Sequence, residues 1–134
     1  MRTKIDTKRR VSIGWHVTNG WTVVETTGEI DISTAPTIGA EIISLLEEGH
    51  RHFVLDLSAT TFLDSMGLGM IVAVTKRLQA HEGSLRIACA DQRLLKIFTL
   101  GGLRKPYAFH DSADEAAREA PRPNSLERWP HSHD

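Results

Sequence analysis

Between residues 11 and 27, apolar and polar positions alternate on both sides of Asn19-Gly20. Alternation with a period of two marks a half-buried strand, and Asn-Gly suits the positive φ angles of a tight turn. The pattern predicts an opening antiparallel hairpin. After Gly28 and the segment EIDISTAP, the residues Ile38, Ile42, Leu45 and Leu46 recur at helical spacing and stop at Gly49. A helix is predicted there, with Ser33 or Thr34 as its cap and Pro36 in its first turn, where a missing N–H costs nothing. Residues 53–57 form a short apolar run interrupted only by Asp56, as an inner strand covered on both faces requires. SATTFLD follows as a predicted loop. Residues 65–81 carry Leu68, Ile71, Val72 and Leu78 on one face and predict a second helix, ended by Gly83. A strand at 85–90, a helix at 92–100 closed by Gly101-Gly102, a short strand at 107–110 and a last helix at 111–119 complete the order.

Helices alternating with short strands are most economically built as crossovers between parallel strands. The expected class is therefore α/β: a mixed, mostly parallel sheet of about five strands with an N-terminal antiparallel hairpin, and about four helices. One domain over residues 11–118 accounts for the pattern. Residues 1–10, with Lys8, Arg9 and Arg10, are expected to be a flexible basic N-terminus. Residues 119–134, where Pro121, Pro123 and Pro130 interleave with polar residues, are expected to be a disordered tail that contains His131 and His133. A chain of 134 residues suffices for one hydrophobic core.

Charge then narrows the function. Sixteen Lys and Arg against seventeen Asp and Glu leave a formal net charge of -1, so no global field holds nucleic acid. The single cysteine, Cys89, lies in an apolar run and suits a reducing compartment. No apolar stretch approaches the ~18 residues needed to cross a bilayer, and none resembles a signal peptide. A cytoplasmic protein without membrane insertion is expected. The seven histidines are scattered over turns and strand ends and predict no metal site.

The junction Leu63-Asp64-Ser65-Met66-Gly67-Leu68-Gly69 places a hydroxyl and two glycines at the start of a helix. Helix N-termini carry free N–H groups and a positive dipole end, so a phosphate on Ser65 would be tolerated there. On local residues alone, Ser65 or Asp64 is equally a helix cap worth ~1 kcal/mol. Met66, Met70 and Val74 form a second apolar stripe, which belongs either to the core or to a docking surface.

The combination of EIDISTAP, VLDLSATTFLDSMGLGMIVAVTKRLQAHEGSLRIA, LLKIFTLGGL and the closing YAF resembles the STAS domain family of anti-sigma factor antagonists, with AHEGSLRIAC and LLKIF closest to actinobacterial members. The resemblance covers roughly residues 11–118. It implies a regulatory binding protein rather than an enzyme. In its unphosphorylated form such a protein binds an anti-sigma factor and frees a sigma factor. Phosphorylation on Ser65 abolishes that binding. The implied partners are an anti-sigma serine kinase of the histidine-kinase-like ATPase type and a metal-dependent serine phosphatase. ATP and magnesium belong to the kinase, so no cofactor is expected for this chain. The implied partner-binding residues are Asp31, Ser33, Thr34, Asp64, Ser65, Met66, Gly67, Leu68, Met70 and Val74. Ser33 and Thr34 also remain open as helix caps. The chain departs from the family at Met66, where Ser or Thr is usual.

Rival readings fail at particular residues. A nucleophile elbow needs Gly two positions before Ser65, where Leu63 stands. No Gly-rich loop ends in Gly-Lys-Ser or Gly-Lys-Thr, so a phosphate-binding ATPase loop is absent. A response-regulator receiver needs an early acidic pair to hold magnesium, and the first such pair, Glu47-Glu48, lies inside a predicted helix. The alternative kept is a STAS scaffold in a stress-signalling assembly or a regulatory subunit of an anion or lipid transporter.

Overall fold

The structure, a computed structural model, describes residues 11–122 and the backbone of residues 2–6. Six strands form one sheet in sequential order: β1 (Arg2–Asp6), β2 (Val11–Thr18), β3 (Trp21–Ile30), β4 (His52–Leu63), β5 (Ser84–Ala88) and β6 (Ala108–His110). The first three pair antiparallel, and β3 through β6 pair parallel. Four helices accompany them: α1 (Ala35–Glu47), α2 (Ser65–Ala80), α3 (Gln92–Leu100) and α4 (Ala113–Ala116).

Strand order dictates where the helices go. Each parallel connection steps in the same direction across the sheet, and right-handed crossovers taken in one direction all fall on one face. Accordingly Ile38, Ile42, Ile71, Leu78, Leu94 and Phe98 of α1, α2 and α3 share a core with Val24, Leu55 and Ile87 of the sheet. The alternate residues of the same strands, Val23, Val54 and Ala88, face the other way and pack with Trp21, Ala116 and Ala117. Among the described residues, the second face thus receives α4 and the segment that follows it.

Local chemistry sets the boundaries. Asn19 (φ 52°) and Gly20 (φ 85°) both adopt positive φ, the geometry of a two-residue hairpin turn that matches strand twist. At the end of α1, Gly49 (φ 112°) donates to the Leu46 carbonyl while His50 donates to that of Leu45, a pairing that satisfies carbonyls otherwise left open. Tyr107, ahead of β6, is tied to α2 by a 2.7 Å hydrogen bond with Thr75, and its burial pushes the phenol pKa above its ordinary value. Burial likewise raises the Cys89 thiol, which makes it a poor nucleophile. Asp56 accepts from the Ser58 N–H and serves the strand.

Three expectations are corrected. SATTFLD is not a loop: β4 runs on through it to Leu63, paired with β3 beyond register shifts at Glu25/Thr27 and Gly28/Glu29. Threonines are strand formers, and the hydroxyls of Thr26 and Thr60, both buried, bond each other at 2.7 Å. Residues 2–6, taken as part of a flexible start, add β1 to the open edge of β2. The domain also does not stop at residue 118. Trp21 Nε1 donates to the Glu119 carbonyl (2.8 Å), Asn19 Nδ2 to those of Ala117 and Arg118, and Pro121 abuts Gly20. The rest of the expected tail, residues 123–134 with His131 and His133, lies outside the described residues, as do residues 7–10 of the basic start.

Candidate functional site

Parallel pairing puts the ends of β3 and β4 side by side, with Glu29 opposite Phe62 and Ile30 opposite Leu63. The Asp64 N–H donates to the Ile30 carbonyl (3.3 Å), so the turn after β3 and the start of α2 lie against each other. Two acidic side chains organise this end. Asp31 Oδ1 accepts from the N–H groups of Ser33 (2.8 Å) and Thr34 (3.1 Å), closing the turn into α1. Asp64 Oδ1 accepts from Met66 (2.9 Å) and Gly67 (3.1 Å) and caps α2.

Asp64, not Ser65, is therefore the cap. Ser65 is the first residue of α2, exposed, and its hydroxyl makes no hydrogen bond among the described residues. The helix start differs in one further way from the sequence expectation. Two of its N–H groups are already held by the Asp64 carboxylate, so they are not free for a phosphate on Ser65. Such a phosphate would stand beside an existing negative charge and face outward. Asp64→Ala is expected to destabilise the domain by about 1 kcal/mol, read from a denaturant midpoint.

The remaining residues divide by burial. Ser33 is exposed and Met66 is 49% exposed. Thr34 is fully buried: its hydroxyl donates to the Glu29 carbonyl (2.7 Å) and accepts from the Asp31 N–H (2.9 Å). It holds the turn and does not cap a helix N–H with its side chain. Gly67 and Leu68 are buried as well, and Leu68 belongs to the core. The Met66, Met70, Val74 stripe is split: Val74 is 3% exposed, Met70 packs near Gly39 of α1, and only Met66 is free at the surface.

Sequence reasoning found Met66 beside Ser65 but missed the other exposed apolar residues, Ile32, Phe62 and Leu100. Among the described residues, five large hydrophobic side chains are exposed, and four stand at this end. Ile32 (65%) and Phe62 (47%) sit at the ends of β3 and β4, Met66 opens α2, and Leu100 (78%) precedes Gly101, which abuts Leu68. The fifth, Val17, lies towards the hairpin tip. A signal existed for Ile32 alone, an apolar residue isolated between the polar Asp31 and Ser33. Among the described residues, no group of three or more His, Cys, Asp or Glu side chains is placed to hold a metal ion, and no helix is long and apolar enough to cross a membrane.

Ser65 is thus an exposed hydroxyl at a helix start, lining one groove together with Ile32 and Met66. Comparison with known proteins follows the same line. The profile described as the STAS domain matches residues 12–116. The anti-sigma-B factor antagonist of Bacillus subtilis is 32% identical over 81 residues, covering 60% of this chain and 73% of that protein. The crystal structure of an anti-sigma factor antagonist from Mycobacterium paratuberculosis superposes with a TM-score of 0.73 at 28% identity, covering 81% of this chain and 95% of that one. The Bacillus cell fate determinant SpoIIAA in its phosphorylated form (TM-score 0.63, 23% identity, 79% and 96% covered) has the same fold.

Proposed function

The chain belongs to the STAS domain family, and from that premise we propose that it is an anti-sigma factor antagonist switched at Ser65. The observation that carries the proposal is the exposed Ser65 hydroxyl at the start of α2, without a hydrogen bond among the described residues and lining one groove with the exposed Ile32 and Met66. In the dephosphorylated state this end docks on the anti-sigma factor and releases the sigma factor. The anti-sigma factor, acting as an ATP-using serine kinase of the histidine-kinase-like type, transfers the γ-phosphoryl of ATP to Ser65 Oγ. A phosphorus–oxygen bond to the serine forms, the bond to ADP breaks, and the hydroxyl proton passes to a base of the kinase. A metal-dependent phosphatase removes the phosphate by hydrolysis: water attacks phosphorus, the bond to Ser65 Oγ breaks, the serine regains a proton and inorganic phosphate leaves. ATP and magnesium come with the kinase, and this chain supplies only the acceptor and the surface.

The phosphate adds ~1.5 to 2 negative charges beside Asp64, whose carboxylate already occupies the nearest N–H donors. With the Met66 and Gly67 N–H groups already taken, the charge is carried into the partner interface, where an unpaired anion costs several kcal/mol. The domain need not refold to switch. Incubation with the candidate kinase and ATP, followed by intact-mass measurement, is expected to add one phosphate to the wild type and none to Ser65→Ala. Equal labelling of both would place the acceptor elsewhere.

A further inference from the structure

Where α1 and α2 meet, Gly39 lets the helices approach: a Cβ there would lie 3.1 Å from Met70 Cγ and 3.9 Å from Val74 Cγ2. On the solvent side of that contact the helices carry small residues, Ala40 on α1 and Gly69 and Ala73 on α2, with the buried Ala35 at the base, and the space above them is unfilled. A Cβ on Gly69 would meet nothing within 4 Å. The result is an open groove of ≈ 510 Å³, walled by Ile32, Pro36 and Ile43 on one side and Met66 and Met70 on the other. Its size is that of a pocket for one small ligand, which typically measures about 300–1,000 Å³.

The lining is apolar except at its two ends. Ser65 stands at one end, and Arg77 is the single charged residue that borders the groove. Met66, Met70, Ala73 and Arg77 follow one another at spacings of four, three and four, so they share one face of α2 over about 17 Å. Arg77 is exposed, and among the described residues no carboxylate pairs with its guanidinium. A long apolar trough with one unpaired cation at its end is complementary to a long apolar chain with one anion at its end.

We propose that the groove between α1 and α2 binds a free fatty carboxylate, with its carboxylate on Arg77 and its alkyl chain lying along Ala73 and Met70 towards Met66. Guanidinium suits this role because it offers paired donors to a carboxylate and sheds water more readily than an ammonium. The thioether of Met70 adapts to chains of different length, and Gly69 and Ala73 leave room for the chain. Ser65 borders the end of the groove opposite Arg77, so the site adjoins the acceptor, but binding of the carboxylate requires no phosphorylation.

Tetradecanoate, titrated below its micelle concentration into the full chain by calorimetry and checked by native mass spectrometry, is expected to bind saturably, one per chain. Ala73→Phe fills the groove from an exposed position and is expected to abolish binding without lowering the melting temperature of the free protein. Arg77→Glu is expected to weaken it at least tenfold, and tetradecanol to bind the wild type at least tenfold more weakly than tetradecanoate. Absence of saturable binding, or affinity unchanged in Ala73→Phe or Arg77→Glu, would overturn the proposal. So would a wild type that takes no tetradecanoate while Ala73→Phe loses the anti-sigma partner, since the groove would then be a protein-docking site.

Discussion

Ser65→Glu is expected to weaken binding to the anti-sigma factor by about thirtyfold or more and to move the melting temperature by no more than about 3 °C, the shift that a change below 1 kcal/mol gives a domain of this size. The two halves of this expectation have separate causes. Ser65 is exposed at the first position of α2, where a carboxylate is favoured by the helix dipole, so the fold loses nothing. In the complex the same carboxylate lies beside Ile32 and Met66, and burying it without a counter-charge costs about 2–5 kcal/mol. A loss of about 2 kcal/mol is already thirtyfold in affinity. Ser65→Ala should bind within threefold of the wild type, because the hydroxyl has no partner whose loss would be felt. Calorimetric titration paired with thermal melts measures both quantities. An unchanged affinity in the Glu variant would move the docking surface away from this end.

How far the fold was legible depended on whether its determinants were local. Asn19-Gly20 and Gly49 fixed the hairpin and the end of α1 because each acts within a few residues of itself. The bounds of α3 agreed with Asp91 as its cap and Gly101 at its end. Where the determinant was distant, the pattern misled. Thr60 looks like a loop residue until Thr26, thirty-four positions away, is seen to satisfy its hydroxyl. Glu119 has no apolar periodicity, and its order comes from Trp21 and Asn19 across the chain. Gly83 marked the end of α2 for a reason other than conformational freedom. The residue with positive φ is Glu82 (61°), and Gly83 is required because a Cβ would lie 2.4 Å from the Arg51 carbonyl oxygen.

The site shows the same division. Ser65 stood out in the motif, but the roles of its neighbours depended on orientation. In α2 almost every position is apolar or small, so Leu68, which enters the core, and Met66, which does not, are equivalent in sequence. Burial separated them, and the bonds of the buried Thr34 hydroxyl show it bracing the turn after β3. Exposure at Ile32 and Phe62 arises because β3 and β4 end together, a consequence of parallel register that no local pattern records.

Gly67→Ala and Gly69→Ala, the same substitution two residues apart in one helix, are expected to have opposite effects on stability. A Cβ at Gly67 would lie 2.4 Å from Leu63 Cδ1, 2.9 Å from Ile30 Cγ2 and 3.3 Å from the Ile30 carbonyl oxygen. Leu63 and Ile30 are at most 1% exposed, so neither can swing aside into solvent. The clash can be relieved by lifting the first turn of α2, but Gly67 is held there by its 3.1 Å bond to Asp64. Overpacking of this kind costs about 1–3 kcal/mol or more, and the roughly 1 kcal/mol that Ala gains over Gly in a helix offsets only part of it. A net loss of about 2 kcal/mol is expected. At Gly69, with open space around the new methyl, the helix preference acts alone and a gain of about 0.5–1 kcal/mol is expected. Denaturant titration of both variants measures the signs directly. Because lifting the first turn also displaces Ser65 and Met66, Gly67→Ala should lose affinity for the anti-sigma factor under conditions where it remains folded. Full affinity in a destabilised Gly67→Ala would mean that the partner does not read the start of α2.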